Sequence, residues 1–428
     1  MDTAKALRAP VIGSALAAIL VSTSMSPAAA QTAPWIGTWS TAPVGDQLSE
    51  TGTLTLNQQT IRHIVHTSIG GSTARIHLSN FYGTTPLVIS DVHLALSVSN
   101  STPETVTGSD EQVTFSGAKS VTIPAGGSVV SDSVAFAVPP LGDVAVSLFF
   151  PGTTKVTTPI TLHEITDQLN FWAAGDVSAA QNLTALGSAD QFYFLTGLDV
   201  QQSQASGAVV TFGASITAGD HSSFLANHRW PNLLAQRLTS AGLTIGVLNE
   251  GISGDRLLSD NGPFGDSGLS RFDRDAVTQP GVKWVVVSDL PLNDLGGQST
   301  LPASQLISGL QTLIAQAHSA GLKYICSTMT PWKNSPAWNA TAEASRGQVD
   351  AFIHSAGSGC DAIVDQDRAL QDVDDPQLML SVFDSGDHLH PNDVGYEVIA
   401  NAVDLRSFGA LSSSTPLIPN GTYSLLVH

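Results

Sequence analysis

Apolar and polar residues alternate along most of the first half of the chain, from Trp35 to about Leu198. Residues 60–67 and 73–79 both follow this pattern, and the glycine pair between them, at 70–71, indicates a turn. A period of two residues is typical of β-strands that bury one face. This region therefore predicts an all-β, sandwich-like domain. Its further strands are expected at residues 87–96, 112–115, 120–123, 128–136 and 144–150.

After residue 201 the pattern changes to short apolar runs separated by amphipathic helices. Residues 208–212 form the first apolar run, and residues 227–240 and 303–320 carry apolar side chains at helical spacing. Further strands are expected at residues 244–249, 283–288, 323–328 and 362–364. Strands that alternate with helices indicate a parallel, doubly wound sheet. We therefore expect an α/β domain with a flavodoxin-like, five-stranded parallel sheet.

The first thirty residues have the composition of a secretory signal peptide. Lys5 and Arg8 precede an apolar run at residues 9–21, and small residues follow up to Ala30, where we expect cleavage. A membrane anchor is the alternative, but the run is shorter than the roughly 20 residues that a span needs. The sequence thus predicts an exported protein, secreted or, in a Gram-negative bacterium, periplasmic.

The expected organisation has four parts. A signal peptide at residues 1–30 precedes a β-sandwich-like domain at 34–200, a catalytic α/β domain at 207–410 and a C-terminal tail at 411–428. No later segment is apolar for long enough to span a membrane.

The net charge of the chain limits which kinds of molecule can bind to it. The 428 residues include 17 Lys and Arg against 36 Asp and Glu, which gives a formal net charge of −19. Phosphate backbones and anionic membranes repel such a chain, so nucleic acid is excluded as a partner.

Two cysteines, Cys326 and Cys360, are too few for a disulfide scaffold and form no zinc-binding pair motif. One lies on the fourth predicted parallel strand and the other just before the fifth. Because export permits oxidation, we expect a disulfide between them. Asn-x-Ser/Thr sequons are compatible with a glycoprotein in a eukaryotic host. They lie at Asn100, Asn182, Asn339 and Asn420.

Polar residues follow the predicted parallel strands at their carboxyl ends, where doubly wound sheets bind ligands. Ser215 lies between Gly213 and Gly219 in a strand-to-helix turn that would expose its hydroxyl beside a helix N-terminus. A serine that only caps the helix is the alternative. Gly254 lies in a loop after the second strand that can offer backbone N–H groups, and Asn293 follows the third strand with a side-chain amide.

Asp387 and His390 lie three residues apart after the fifth strand. One turn of that length can hold the carboxylate against the imidazole, so that the other ring nitrogen faces the serine. A metal site formed by Asp384, Asp387, His388 and His390 is the alternative. We disfavour it because no matching His/Asp pair is evident on another loop, and because it leaves the serine turn unexplained. His388 is expected to serve packing or a loop hydrogen bond.

Together these motifs resemble the SGNH, or GDSL-type, hydrolases. The resemblance implies that Ser215 is the nucleophile and that Asp387 and His390 complete a catalytic triad. It also implies an oxyanion hole made by the backbone N–H groups of Ser215 and Gly254 and by the Asn293 side chain. No metal or organic cofactor is implied. The expected activity is the hydrolysis of carboxylic esters.

The resemblance covers residues 208–405 and extends to residues 35–40 and 66–71, which are similar to the openings of secreted two-domain members. Two positions depart from the family pattern. Ala214 stands where an aspartate precedes the serine, and Pro291 stands where a glycine lies two residues before the asparagine. Alanine removes a polar contact and proline removes an N–H group, so both are expected to reshape the oxyanion region.

The sequence leaves several functions open. A secreted esterase acting on small or carbohydrate-linked esters is favoured over an acyltransferase with the same triad, and over a weakened carbohydrate-binding or surface protein. Trp332 and Pro291 are candidates for a substrate pocket, although Trp332 suits the core equally well. The β-rich region is expected to cover the catalytic domain or to form a wall of its cleft, rather than to bind glycans independently.

Overall fold

The computed structural model describes residues 1, 33–46, 53–157, 159–164, 166–296 and 301–409. The expected signal peptide, apart from Met1, the expected tail and the sequon at Asn420 lie outside the described residues.

The β-rich region consists of short strands in chain order. They are β1 (Trp35–Ser40), β2 (Val44–Asp46), β3 (Thr53–His66), β4 (Ala74–Ser79), β5 (Leu87–Ile89), β6 (Asp91–Leu96), β7 (Glu111–Gln112), β8 (Val121–Ile123), β9 (Ser128–Val130), β10 (Asp143–Thr157), β11 (Ile160–Glu164), β12 (Asn170–Ala174), β13 (Gly187–Ala189), β14 (Gln191–Tyr193) and β15 (Leu195–Gln201).

These strands pair antiparallel in sheets with the orders β1-β15-β4-β9, β13-β12-β3-β10-β6-β7, β14-β11-β2 and β5-β8. The longest pairing joins β3 to β10, from His66 opposite Asp143 to Thr53 opposite Thr157. Ile61 and Leu148, which lie opposite each other in this pairing, are both fully buried. The β-rich region predicted from the two-residue period is therefore confirmed.

Two predicted strands are shorter than expected. The strand at 112–115 ends at Gln112, and the strand at 128–136 ends at Val130. The predicted strand at 87–96 is divided into β5 and β6. After Val130, side chains take part in the hydrogen bonds. The Ser131 hydroxyl accepts the Ile76 N–H at 3.0 Å, and the Asp132 carboxylate accepts the N–H of Gly117 at 2.7 Å. Side-chain bonds of this kind compete with regular strand pairing.

The second region alternates strands and helices. Its strands are β16 (Gly207–Gly213), β17 (Ile245–Gly251), β18 (Val282–Val287), β19 (Lys323–Ser327) and β20 (Ala362–Val364). Its helices are α1 (Ser215–Ala218), α2 (Trp230–Ser240), α3 (Gly268–Phe272), α4 (Leu292–Leu295), α5 (Ala303–Ser319), α6 (Ala340–Ile353), α7 (Gln366–Leu370) and α8 (Asp393–Ala402), with 3₁₀ turns at Gly262–Phe264 and Leu405–Phe408 and a π-helical turn at Asp273–Val277.

The five strands form one parallel sheet in the order β17-β16-β18-β19-β20, the predicted flavodoxin-like arrangement. Every residue of the interior strand β16 is buried, which explains its continuous apolar run. Helix α2 begins at Trp230, three residues later than predicted, because Leu225 and Asn227 have positive φ angles of 63° and 54° and cannot belong to a right-handed helix. Among the described residues, no helix is long and apolar enough to cross a membrane.

The β-rich region packs directly against the edge strand β17. Gly37 of β1 and Gly246 of β17 approach so closely that a Cβ atom at Gly246 would lie 2.0 Å from the Gly37 carbonyl oxygen. The Ser68 hydroxyl also accepts the backbone N–H of Val247 at 2.9 Å. Backbone contact of this kind holds the two regions in one compact unit.

The expected disulfide is present. Cys326 on β19 is bonded to Cys360, and their Cα atoms are 5.6 Å apart. The bridge links β19 to the segment that enters β20, its neighbour in the sheet.

Candidate active site

Ser215 is the first residue of α1 and follows β16 after a single residue, Ala214. The turn is held by the carboxylate of Asp289, which is 1% exposed at the end of β18. Its oxygens accept the N–H of Ala214 at 3.1 Å, the N–H of Ile216 at 2.8 Å and the hydroxyl of Thr217 at 2.7 Å. Asp289 thus supplies a polar contact where the family pattern has an aspartate at position 214.

Asp289 leaves one amide of the turn without a bond. The N–H groups before and after Ser215 donate to its carboxylate, whereas the N–H of Ser215 itself donates to no group within the described part of the chain. A buried amide in that state is available to an incoming oxygen atom.

Ser215, His390 and Asp387 form one hydrogen-bonded chain. The Ser215 hydroxyl lies 2.8 Å from Nε2 of His390, and Nδ1 of His390 lies 2.5 Å from Oδ2 of Asp387. The serine is 7% exposed and the side chain of the histidine 13%. With the proton on Nδ1, Nε2 is the acceptor for the serine proton.

The Asp387 carboxylate is held ionised by its own loop. Its Oδ1 accepts the backbone N–H groups of Leu389 at 2.9 Å and His390 at 2.8 Å, and the Ser385 hydroxyl at 3.1 Å. Burial alone opposes the charge, but these bonds and the His390 ring together hold the pKa of Asp387 well below its usual value. The turn therefore presents a permanent anion to the imidazole.

Gly254 and Asn293 meet at the same edge of the sheet. Gly254 has a φ of +75°, and a Cβ atom there would lie 2.7 Å from the ring of Phe264, so glycine is required on both counts. The Asn293 amide donates to the carbonyl of Asp255 at 2.8 Å, which places it beside the Gly254 loop. The N–H of Gly254 has no hydrogen bond among the described residues.

A buried arginine ties this loop to the strand ends. Arg271 donates to the carbonyls of Gly213 and Glu250 at 2.9 Å each, and to the Asp255 carboxylate at 2.7 Å. Its side chain is 0% exposed, and its guanidinium carbon lies 4.0 Å from the centre of the Phe212 ring. One side chain therefore fixes the ends of two strands relative to the Gly254 loop.

The two candidate pocket residues are both buried. Trp332 is 1% exposed and donates its indole N–H to Glu343 at 2.9 Å, so it is a core residue in this structure. Pro291 precedes α4 with φ −71° and ψ −12°, and borders a small internal cavity with Tyr324 and Cys326. Pro291 can therefore influence the site through α4, which carries Asn293, rather than through its own surface.

The Asp384 and His388 side chains pair with each other. Nδ1 of His388 lies 2.6 Å from Oδ2 of Asp384, which is the loop hydrogen bond expected for His388. These two residues therefore stand apart from the Asp387–His390 pair.

Sequence reasoning missed a second imidazole at the triad. The ring of His221 stacks on that of His390 with ring centres 5.0 Å apart, and its Nε2 lies 3.4 Å from Oδ2 of Asp387. His221 follows Ser215 by only six residues, but no periodic pattern predicts its direction because its φ is +67°. Asp289 was missed as well, although its position at a strand end could have indicated it.

One protein-family model matches part of the chain. Residues 211–398 match the GDSL-like lipase/acylhydrolase family. No curated protein matches the chain.

Three solved structures are similar to part of the chain. A lipase/acylhydrolase from Enterococcus faecalis is 21% identical, with 46% of this chain and 92% of that chain covered and a TM-score of 0.37. An aryl esterase from M. smegmatis is 16% identical, with 46% and 95% covered and a TM-score of 0.37. A carbohydrate acetylesterase from Sinorhizobium meliloti is 14% identical, with 46% and 96% covered and a TM-score of 0.37.

The family match spans the strand ends, the Ser215 turn and the Asp387–His390 loop. Residues 211–398 of this chain are therefore similar to GDSL-like lipase/acylhydrolase domains.

Proposed function

We propose that this protein is a secreted serine esterase that hydrolyses small or carbohydrate-linked carboxylic esters through an acyl-Ser215 intermediate. The observation that carries the proposal is the continuous chain from Ser215 through His390 to Asp387, with contacts of 2.8 Å and 2.5 Å. A serine that only caps a helix needs no such partner, and its own helix has no side-chain capping bond.

In the first step neutral His390 takes the Ser215 proton at Nε2 while the serine oxygen attacks the ester carbonyl carbon. The imidazolium that forms keeps its Nδ1–H against ionised Asp387, which stabilises the new positive charge. The proton then passes to the leaving alcohol as the ester C–O bond breaks, and the acyl group stays on Ser215.

The carbonyl oxygen becomes negative in this step and needs donors. The N–H groups of Ser215 and Gly254 and the amide of Asn293 are assigned to it, each worth about 3–4 kcal/mol when well placed. The Asn293 amide has two N–H donors, and one of them is bonded to the Asp255 carbonyl at 2.8 Å. The second N–H is the one assigned to the oxyanion, while the first keeps the amide in place.

Water attacks the acyl-enzyme in the second step, with His390 as the base. An alcohol in the same place would make the protein an acyltransferase, and an alcohol acceptor added to the assay measures that partition directly. No step needs a metal or an organic cofactor.

The β-rich region is proposed to form a wall of the cleft by holding the loop after α1. Asn100 donates to the Leu225 carbonyl at 2.6 Å, and Asp167 accepts the Ser222 hydroxyl at 2.9 Å and, through its backbone carbonyl, the Leu225 N–H at 3.1 Å. That loop carries His221 to the triad. Export is proposed from the signal-like N-terminus, and the Cys326–Cys360 bridge suits an oxidising compartment.

The test is the turnover of a chromogenic short-chain ester by four variants. Ser215→Ala and His390→Ala should each lower kcat by about 10⁴-fold, and the double variant should lose little more, because nucleophile and base act as one unit. His388→Ala, which removes a neighbouring imidazole, is the control and should keep the parent rate. If Ser215→Ala retained more than about a tenth of the activity, the serine would not be the nucleophile. A fluorophosphonate adduct mapped to Ser215 by mass spectrometry provides an independent readout.

A further inference from the structure

His221 lies in a loop that is tied down directly after it. Its backbone has a left-handed φ of +67°, which costs a non-glycine residue about 1 kcal/mol or more. The next residues are tied down, because Ser222 donates to Asp167 at 2.9 Å and the Ser223 N–H donates to Asp393 on α8 at 2.7 Å. The imidazole is therefore positioned against the triad by both regions of the protein.

His221, Asp387 and His390 each offer a metal-ligand atom, and these atoms all lie within 4.8 Å of one another. Nε2 of His221 and Oδ2 of Asp387 are 3.4 Å apart. Zinc holds nitrogen and oxygen ligands at about 2.0–2.2 Å, so two ligands of one tetrahedral ion lie roughly 3.4 Å apart. The His221–Asp387 pair already has this spacing, and the imidazole of His221 is 49% exposed to entering ions.

A further carboxylate adds negative charge beside these ligands. Asp220 is 9% exposed, and its Oδ1 is buried without a hydrogen-bond partner within the described residues. Its Oδ2 accepts the Ser253 hydroxyl at 2.5 Å, next to the Gly254 loop. Asp220 interacts electrostatically with His221 and His390, and Asp387 with His390. Because the whole protein also has a formal net charge of −19, the cluster attracts cations.

We propose that His221, Asp387 and His390 bind a divalent transition-metal ion of the zinc or copper class, and that this ion switches the esterase off. Two imidazoles and one carboxylate suit these ions, whereas calcium and magnesium prefer oxygen ligands alone. The inhibitory part rests on the proposed function; binding itself does not.

Binding of the ion to the Asp387 and His390 side chains would inhibit the esterase. Nδ1 of His390 and Oδ2 of Asp387 are 2.5 Å apart and share a proton, which is closer than two ligands of one ion can lie. The ion replaces that proton, which is released to solvent, and separates the two groups. His390 then loses its orientation toward Ser215, and the imidazole that must accept the serine proton is occupied.

Binding is tested by isothermal titration of ZnCl₂ into the full-length protein carrying Ser215→Ala, which keeps all three ligands. We expect one tight site per chain. Adding His221→Ala should weaken it by about tenfold or more, since one ligand in three is lost. Adding His388→Ala, which removes an imidazole of similar exposure at 47%, should change it by less than about twofold. CaCl₂ should give no comparable binding.

Inhibition is measured on the parent and on each single histidine variant, with the rate given as a fraction of that variant's own zinc-free rate. Zinc should inhibit the parent and the His388→Ala protein alike, EDTA should restore both, and His221→Ala should need about tenfold more zinc. Equal zinc binding with and without His221, or loss of binding in His388→Ala instead, overturns the proposal. If the parent hydrolyses no ester, the proposed function fails, while the titration of the Ser215→Ala protein still decides whether the site exists.

Discussion

The carboxylate of Asp289 is the group that fixes the Ser215 turn, and Asp289→Asn is the sharpest perturbation of it. The asparagine oxygen can keep the bonds to the Ala214 N–H and the Thr217 hydroxyl. Its NH₂ group then faces the Ile216 N–H, which in the parent protein donates to the Asp289 carboxylate at 2.8 Å. Two donors therefore oppose each other in the variant. The turn can relieve this only by moving the first residues of α1.

The size of the effect follows from the bonds lost. One charge-assisted hydrogen bond is worth about 1.5–3 kcal/mol, and the Ile216 N–H is left buried without a partner. We expect the free energy of unfolding to fall by about 2–3 kcal/mol. Displacing the serine by about 1 Å from His390 should lower kcat about 100-fold while KM changes little, since the substrate's own contacts remain.

Asp190→Ala is the control for a loss of stability alone. Asp190 also gathers three donors of one turn, but in the β-rich region and all on its Oδ1: the Thr166 N–H at 2.9 Å, the Thr166 hydroxyl at 2.6 Å and the Gln168 N–H at 3.4 Å. Because an asparagine oxygen could keep all three bonds, the carboxylate is removed. Urea unfolding and kcat on a chromogenic ester are measured for both variants. Asp190→Ala should lose stability and keep kcat. A folded Asp289→Asn protein with kcat within twofold of the parent, or an equal loss of kcat in the control, would refute this reasoning.

Three further predictions address the bridge, the proline and pH. The bridge between Cys326 and Cys360 closes a segment of 34 residues, so replacing both cysteines by serine should cost about 3–4 kcal/mol of unfolding free energy in urea; free thiols in the folded parent by mass spectrometry would contradict it. Pro291→Gly should lower kcat several-fold and stability by about 1 kcal/mol, because proline pre-sets the turn into α4; an unchanged or higher kcat on every ester tested would show that the proline does not adapt the site. Burial raises the pKa of Asp294 to about 6 and that of Asp350 to about 7. The folded state therefore keeps these two protons to higher pH than the unfolded chain does. The stabilisation that the two protonated carboxyls contribute to the folded state is lost as pH rises from about 4 to about 7. Burial also lowers the pKa of His63 and of His163 to about 4, which acts in the opposite direction over the same range. Calorimetry is therefore made on the parent and on the double variant Asp294→Asn/Asp350→Asn: the Tm at pH 5 relative to that at pH 8 should fall in the double variant, and an unchanged difference would count against this assignment.

Periodicity alone was enough to predict both halves of the fold. An alternating pattern must bury one face of a strand, and the fully apolar run of β16 must lie inside a parallel sheet, so both features are local consequences of burial. The hydrogen-bonded chain of Ser215, His390 and Asp387 also depends on features that are visible in the sequence. Asp387 and His390 are three residues apart in one turn, and Ser215 lies at a strand end, where the topology of a doubly wound sheet brings loops together.

Tertiary structure decided the remaining features. Asp289 reaches the Ser215 turn from a strand 72 or more residues further along the chain, and His221 reaches the triad through a left-handed backbone that no pattern of apolar residues indicates. Trp332 could suit a pocket or the core, and only packing placed it inside. A sequence specifies which residues avoid water and which repeat locally, whereas the direction of a single polar side chain depends on bonds to partners that are distant in the chain.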